Sequence, residues 1–213
     1  HFTADAPGGV VLVAQGDKVL YERALGMADV AAKKPLTTNS VLRIGSLTKQ
    51  FTGVAILQLA EQGKLKVTDE IQQYVDFPKK EHPITIEHLV SHTSGIPNFT
   101  DLPLYNAEAY AQDATLPELI AHFKDLPLEF EPGTKWSYSN SGYILLTAIV
   151  ERVSGMPWTD YAEKHLLRPA GMKASSASIN SAFLPNEPAL GYQPEGDGWA
   201  SAFPVSLTWP RGV

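Results

Sequence analysis

Between Leu47 and Gln62 the chain is apolar almost all the way round a helix: Leu47, Phe51, Val54, Ala55, Ile56, Leu57, Leu59 and Ala60 leave no wide polar stripe. A helix of that kind has to be covered on most of its sides, so it belongs inside a domain rather than on its surface. Gly63 follows as its natural C-terminal stop. The rest of the chain must supply the cover, and 213 residues, 44% of them hydrophobic, suffice for one large domain, or one domain with an insertion, with a sizeable core.

The elements around that helix can be read in order. VVLVA (10 to 14) and KVLYERAL (18 to 25) are β-prone runs on either side of QGD, the pattern of a hairpin with a Gly-Asp turn. KKPLTTNS reads as loop and VTDEIQQYV as a short helix. TIEHLVSHTSGI predicts a helix N-capped by Thr85 and finished by Gly95. Residues 100 to 130, rich in Pro, Asp and Leu, read as a loop with short helices, of the kind that covers clefts. EPGTKWSYSNSG is turn-rich and leads into the helical YILLTAIVERVSG, which stops at Gly155. PWTDYAEKHLLRPAGM predicts one more helix, opened by Pro157 and ended before Pro169. After about residue 173 no clear element is expected. Strands followed by many helices predict an α+β fold. It is read as a single domain over 1–213: N-terminal strands to 45, a helical region over 46–173, and an irregular segment over 174–213.

Composition removes several classes of function. Seventeen basic against 23 acidic residues give a net charge of −6, without a Lys/Arg block, which argues against nucleic acid as a partner. No stretch approaches the roughly 20 apolar residues that span a bilayer. HFTADAPGG has neither the basic start nor the apolar core of a secretory signal, which a mature secreted protein would lack as well. With no cysteine there is no disulfide, thiol nucleophile or thiolate metal site.

Two short stretches carry candidate chemistry. In RIGSLTKQFTG, Ser46 and Lys49 are three positions apart where the apolar helix begins, and such positions share a helix face with Cβ atoms about 5–6 Å apart. For lysine to act as a base near neutral pH its pKa must fall by roughly 3 units, which takes some 4 kcal/mol of desolvation or like-charge pressure. The apolar wall of Phe51, Val54 and Ala55 is a source of that desolvation. The plainer alternative is that Ser46 caps the helix and Lys49 points to water. In YSN, Tyr138 and Asn140 project to one side of an extended or turn segment while Ser139 faces away. A phenol can shuttle a proton, and a carboxamide can hold both a donor and an acceptor. His88 and His92 are spaced as on a zinc helix, but HLVSH lacks the glutamate of H-E-x-x-H, and a loop-holding histidine accounts for it better. No serine stands in a G-x-S-x-G frame, and neither a dinucleotide-binding glycine motif nor a phosphate loop is present.

SLTK followed by YSN, together with PGGVVLVAQGDKVLYERALGMAD, LVSHTSGIPN, FEPGTKWSYSNSGYILLTAIVERVSGMPW and LLRPAGM in that order, resembles the serine β-lactamase-like and penicillin-binding hydrolases. The branch is that of class C β-lactamases, D-alanyl-D-alanine carboxypeptidases, D-amino-acid amidases and related esterases, and the likeness runs over about residues 7 to 173. The resemblance implies an antiparallel sheet flanked by helices plus a helical region. It also implies a serine hydrolase that forms an acyl-enzyme and needs no metal or cofactor. Ser46 would be the nucleophile, Lys49 its proton acceptor or electrostatic partner, Tyr138 the general base, and Asn140 the group that orients substrate. The substrate would be a β-lactam, a D-amino-acid peptide or a small ester, and the compartment periplasmic or extracellular. A non-catalytic binding or regulatory domain on the same scaffold is the alternative.

The pattern departs from the family in one respect. The third motif, Lys-Thr-Gly or His-x-Gly on a C-terminal strand, is not found between Tyr143 and Val213. The chain therefore reads as the first part of a family member, with C-terminal sheet strands missing. A second chain or copy is the expected partner that completes the sheet.

Overall fold

In the computed structural model, residues 3–103, 113–177 and 188–202 are described, and they divide into two units, 3–43 with 188–202 and 44–177. In the first unit the two β-prone runs pair as expected. Strand β1 (Gly9–Gln15) runs antiparallel to β2 (Lys18–Leu25), from Gly9 opposite Leu25 to Gln15 opposite Lys18, with a register shift between Val13 and Ala14. Consecutive residues of a strand point to opposite faces. Leu12 and Leu20, 58% and 52% exposed, and their neighbours Val11, Val13, Val19 and Tyr21 therefore leave both faces of this hairpin open.

Two further strand pairs lie where none was expected. The segment read as loop contains β4 (Lys34–Pro35), antiparallel to β3 (Met27–Asp29). The region beyond 173, read as irregular, contains a hairpin of β5 (Tyr192–Glu195) and β6 (Gly198–Ser201). Pro194 within β5 masks it in the sequence, because proline cannot donate to a ladder and demotes a run that contains it. Backbone bonds from Leu190 N–H to Ala28 O (2.9 Å) and from Ala189 N–H to Val41 O (2.9 Å) fasten this stretch within the unit.

The second unit is helical. After a 3₁₀ turn at Gly45–Leu47 come α1 (Thr48–Glu61), α2 (Ile86–Val90), α3 (Leu116–Ala121), α4 (Asn140–Ser154) and α5 (Trp158–Ala162), the last continued by a π turn over Glu163–Leu167. The expected helix at VTDEIQQYV is a single 3₁₀ turn, Ile71–Gln73. Helix α4 is the axis of the core: it packs against α1, α2, α3 and α5, and Ile144, Leu145, Leu146, Ile149 and Val150 are wholly inaccessible to solvent.

Helix α1 departs from its reading as covered on most sides. Thr52, Ala55, Ile56 and Leu59 form a buried face at helical spacing, whereas Leu47, Val54 and Leu57 are 63%, 46% and 56% exposed. The apolar residues fall on two faces, and only one of them meets α4. Helix α2 is also shorter than expected. Thr85 does cap it, with Oγ1 accepting the His88 N–H while His88 Nδ1 accepts the Thr85 N–H (3.3 Å each), but the helix ends at Val90 rather than Gly95. Helix α4 starts earlier than YILL, at Asn140, because Ser139 is its cap: Ser139 Oγ accepts the Gly142 N–H at 3.4 Å.

Candidate active site

Gly45, with φ of +51°, turns the chain into the 3₁₀ turn that carries Ser46 at its centre, a left-handed conformation glycine adopts without strain. Ser46 makes no capping bond to α1, and Lys49, one turn on, is only 6% exposed. A capping serine and a solvated lysine are thus not what the fold contains. Instead Lys49 Nζ donates to Ser46 Oγ at 3.2 Å and to Asn140 Oδ1 at 2.7 Å. It lies 4.9 Å from the Tyr138 ring centre and 5.4 Å from that of Tyr143. Two oxygen acceptors and two aromatic faces replace part of the lost water, but among the described residues no carboxylate pairs with it. Burial accordingly holds the ammonium pKa below its ordinary 10.5, partly opposed by the nearby Tyr138 phenol.

The second stretch arrives from the start of α4. Ser139 is extended (φ −141°, ψ 119°) and turned inward, 3% exposed, with its hydroxyl donating to Ile96 O at 3.2 Å. Its neighbours Tyr138 and Asn140 therefore both face the serine and lysine. Ser46 Oγ and Tyr138 Oη share a hydrogen at 2.7 Å. All four residues singled out in the sequence, Ser46, Lys49, Tyr138 and Asn140, thus form one hydrogen-bonded cluster. Lysine and phenol reach the same hydroxyl, so either can exchange a proton with it.

A buttress that the sequence reading did not single out holds this cluster. Asn98 Oδ1 accepts the Asn140 N–H at 3.0 Å, and Thr100 Oγ1 accepts from Asn140 Nδ2 at 3.2 Å and from Asn98 Nδ2 at 2.7 Å. Asn98 Nδ2 is held in turn by Asp101 Oδ2 at 2.9 Å. The Asn140 carboxamide is thereby fixed with oxygen toward Lys49 and nitrogen toward Thr100. Ser141 Oγ donates to Pro97 O at 2.6 Å and accepts the Phe99 N–H at 2.9 Å, tying the same segment to α4. Just before this segment Gly95, with φ of +72°, lies against the Phe130 backbone, where a Cβ would collide with Phe130 O. SGIPNFT lies next to the predicted helix in the chain, but nothing in its spacing points to Asn140.

The two histidines each use Nδ1 to accept a backbone N–H, His88 from Thr85 and His92 from Ser139 at 3.1 Å. Among the described residues no group of three or more His, Asp or Glu is gathered as a metal site. Two adjoining clefts, of about 470 and 460 Å³, share Tyr74, Val75, Asp76 and Arg152 and contain none of the four clustered residues.

Comparison with known proteins gives the chain's family. The β-lactamase family model matches residues 1–209. Penicillin-binding protein 4* of Bacillus subtilis (strain 168) is 36% identical over 167 residues, 77% of this chain and 36% of that protein. The octameric penicillin-binding protein homologue from Pyrococcus abyssi superposes with a TM-score of 0.81 at 30% identity, over 99% of this chain and 48% of the other. The penicillin-binding protein from Bacillus halodurans does so with 0.80 at 34% identity, over 89% and 58%. The chain spans little more than a third of the first of these and about half of the other two. With that match, and an α+β fold shared with penicillin-binding proteins, the chain belongs to the β-lactamase family.

Proposed function

We propose that this chain carries the acylation machinery of a serine hydrolase that acts on a β-lactam, a D-amino-acid peptide or a small ester. The observation that supports it most is the placing of Ser46 Oγ 2.7 Å from Tyr138 Oη and 3.2 Å from a buried Lys49 ammonium. In the proposed cycle Tyr138 acts as general base and takes the Ser46 proton as Oγ attacks the substrate carbonyl carbon. The Lys49 ammonium stabilises the phenolate form of Tyr138 that receives this proton, and the phenolate charge is neutralised as the proton arrives. The carbonyl oxygen becomes an oxyanion, for which the Ser46 N–H is one donor, a kind of contact worth on the order of 3 kcal/mol. Collapse expels the leaving group, which takes the proton from Tyr138 and leaves an ester on Ser46. Water then repeats the sequence from the other side and frees the serine. Asn140, fixed by Thr100, offers its second amide hydrogen to substrate. Further strands, from the same polypeptide or another copy, would cover β1 and β2, whose faces are open.

The test is covalent labelling of Ser46 by a fluorescent penicillin and by a fluorophosphonate, with Ser46→Ala as control. Labelling by either probe that the substitution abolishes is the expected result. A folded protein that neither probe labels would instead be a binding domain on the same scaffold.

A further inference from the structure

We propose that His92 is the positioning residue that sets the Tyr138 phenol against Ser46, and that it does so only as the neutral imidazole. The inference rests on reading the Ser46–Tyr138 pair as the reactive centre. Three attachments lie on or beside Tyr138. The His92 carbonyl accepts the Ser137 N–H at 2.9 Å, and His92 Nδ1 accepts the Ser139 N–H at 3.1 Å, so the backbone is pinned on both sides of the tyrosine. Between those pins the imidazole lies against the Tyr138 ring, with centres 4.7 Å apart and planes at 33°. Tyr143 of α4 lies 5.1 Å from the same imidazole, and Trp136 meets it edge-on at 6.0 Å. The histidine is clasped on several sides, and its ring backs that of Tyr138.

The backbone of His92 is adapted to this. Its φ of +59° is one of two left-handed values at non-glycine residues among those described. That conformation is sparsely populated for a side chain with a Cβ and persists only where surroundings fix it. Here it lets the carbonyl and the ring of one residue address the same three-residue segment. The His92 N–H meanwhile stays bonded to Leu89 O at 3.3 Å, which joins the device to the end of α2.

An acceptor at Nδ1 demands an unprotonated nitrogen, since imidazolium offers only donors and would face the Ser139 N–H with another N–H. The groups around the ring keep it neutral. Burial, and after it the charge of Lys49 on α1, hold the His92 pKa below its ordinary 6.5. The other titratable groups facing it are the Tyr138 and Tyr143 phenols; on its own stretch, His88 has its Nδ1 occupied by Thr85. As the pH falls through the folded-state pKa, the proton that enters breaks the Ser139 pin and sets a second cation beside Lys49. Neutral His92 therefore contributes stability above about pH 6.5 that is lost on acidification below it. The Ser46–Tyr138 bond loosens over the same range.

The deciding measurement follows the His92 side chain, the Ser139 amide and the Tyr138 ring by NMR as the wild-type chain is acidified. All three are expected to titrate together with one midpoint below 6.5. A Ser139 amide or a Tyr138 ring blind to the His92 titration overturns the proposal, whether or not Ser46 reacts with any probe. A second arm uses the rate of Ser46 labelling against pH. His92→Asn supplies an acceptor oxygen that does not titrate and tolerates a left-handed backbone. It should label within about tenfold of wild type at pH 7.5 and lose the acid limb. His92→Phe keeps a ring but no acceptor and should label roughly 10- to 100-fold more slowly at every pH. An acid limb unchanged in His92→Asn would refute the assignment. Absence of labelling in the wild type would count against the hydrolase reading alone, leaving the NMR arm to decide this one.

Discussion

Two lysines of the helical unit sit in similar cages built from different acceptors. Lys80 Nζ donates to the carbonyl oxygens of Lys124 (2.8 Å) and Leu126 (2.9 Å) and lies 5.4 Å from the centre of the Phe77 ring. Lys49 Nζ likewise has two oxygen acceptors and aromatic faces beside it. The difference lies in the acceptors. A peptide carbonyl can only accept, so Lys80 is a staple that ties the loop after Phe77 to the end of the α3 region. A serine hydroxyl can also give up its proton, and a carboxamide held by Thr100 keeps a second amide hydrogen to offer, so the same cage around Lys49 is able to take part in a reaction. Burial sharpens the contrast: Lys49 is 6% exposed and its pKa is lowered.

The comparison can be broken most directly at Lys49. Lys49→Met should lower the rate of Ser46 labelling by 10³-fold or more, since both the donor to Ser46 and the charge beside Tyr138 disappear. Because the folded state disfavours the Lys49 ammonium, that charge opposes folding at neutral pH. The opposition fades as the pH rises through the lowered pKa. The methionine variant should thus melt no lower than wild type in a thermal scan at pH 7, and a large loss of stability would contradict this account of the site. A smaller effect is expected at Thr100→Val, which frees the Asn140 carboxamide to rotate. Labelling should slow by roughly 3- to 30-fold with little change in melting temperature, and Thr100→Ser should restore most of it. If valine leaves the rate untouched, the buttress has no part in orienting Asn140. The smallest effect belongs to Lys80→Met, which should leave labelling within about twofold and cost on the order of 1 kcal/mol in urea unfolding.

How much of this was legible in the letters depends on how far apart the interacting parts lie. The β1–β2 hairpin rests on two β-prone runs and a Gly-Asp turn, all within one short window, and it formed as read. The facing of Ser46 and Lys49 follows from helical spacing alone. Lys49's burial does not, because the Tyr138 and Tyr143 rings and the Asn140 oxygen that surround it come from some ninety residues later. The role of Asn98 and Thr100 was invisible for the same reason: a loop asparagine shows its partner only after the chain has come back to it. Periodicity also misled at Val54 and Leu57, where apolar letters mark a face that the rest of the described chain does not cover. The β5–β6 hairpin was lost to Pro194, a residue that argues against a strand unless its neighbour needs no donor there.

Ser139 has a consequence of its own. It fixes where α4 begins, and it is flanked in the chain by the two groups that face Ser46. Unwinding that first turn would release the amide and, at Ser139, one of the backbone anchors of the phenol in a single event. Conditions that fray that turn should therefore extinguish reactivity as a switch does rather than dim it, well before the helix itself is lost.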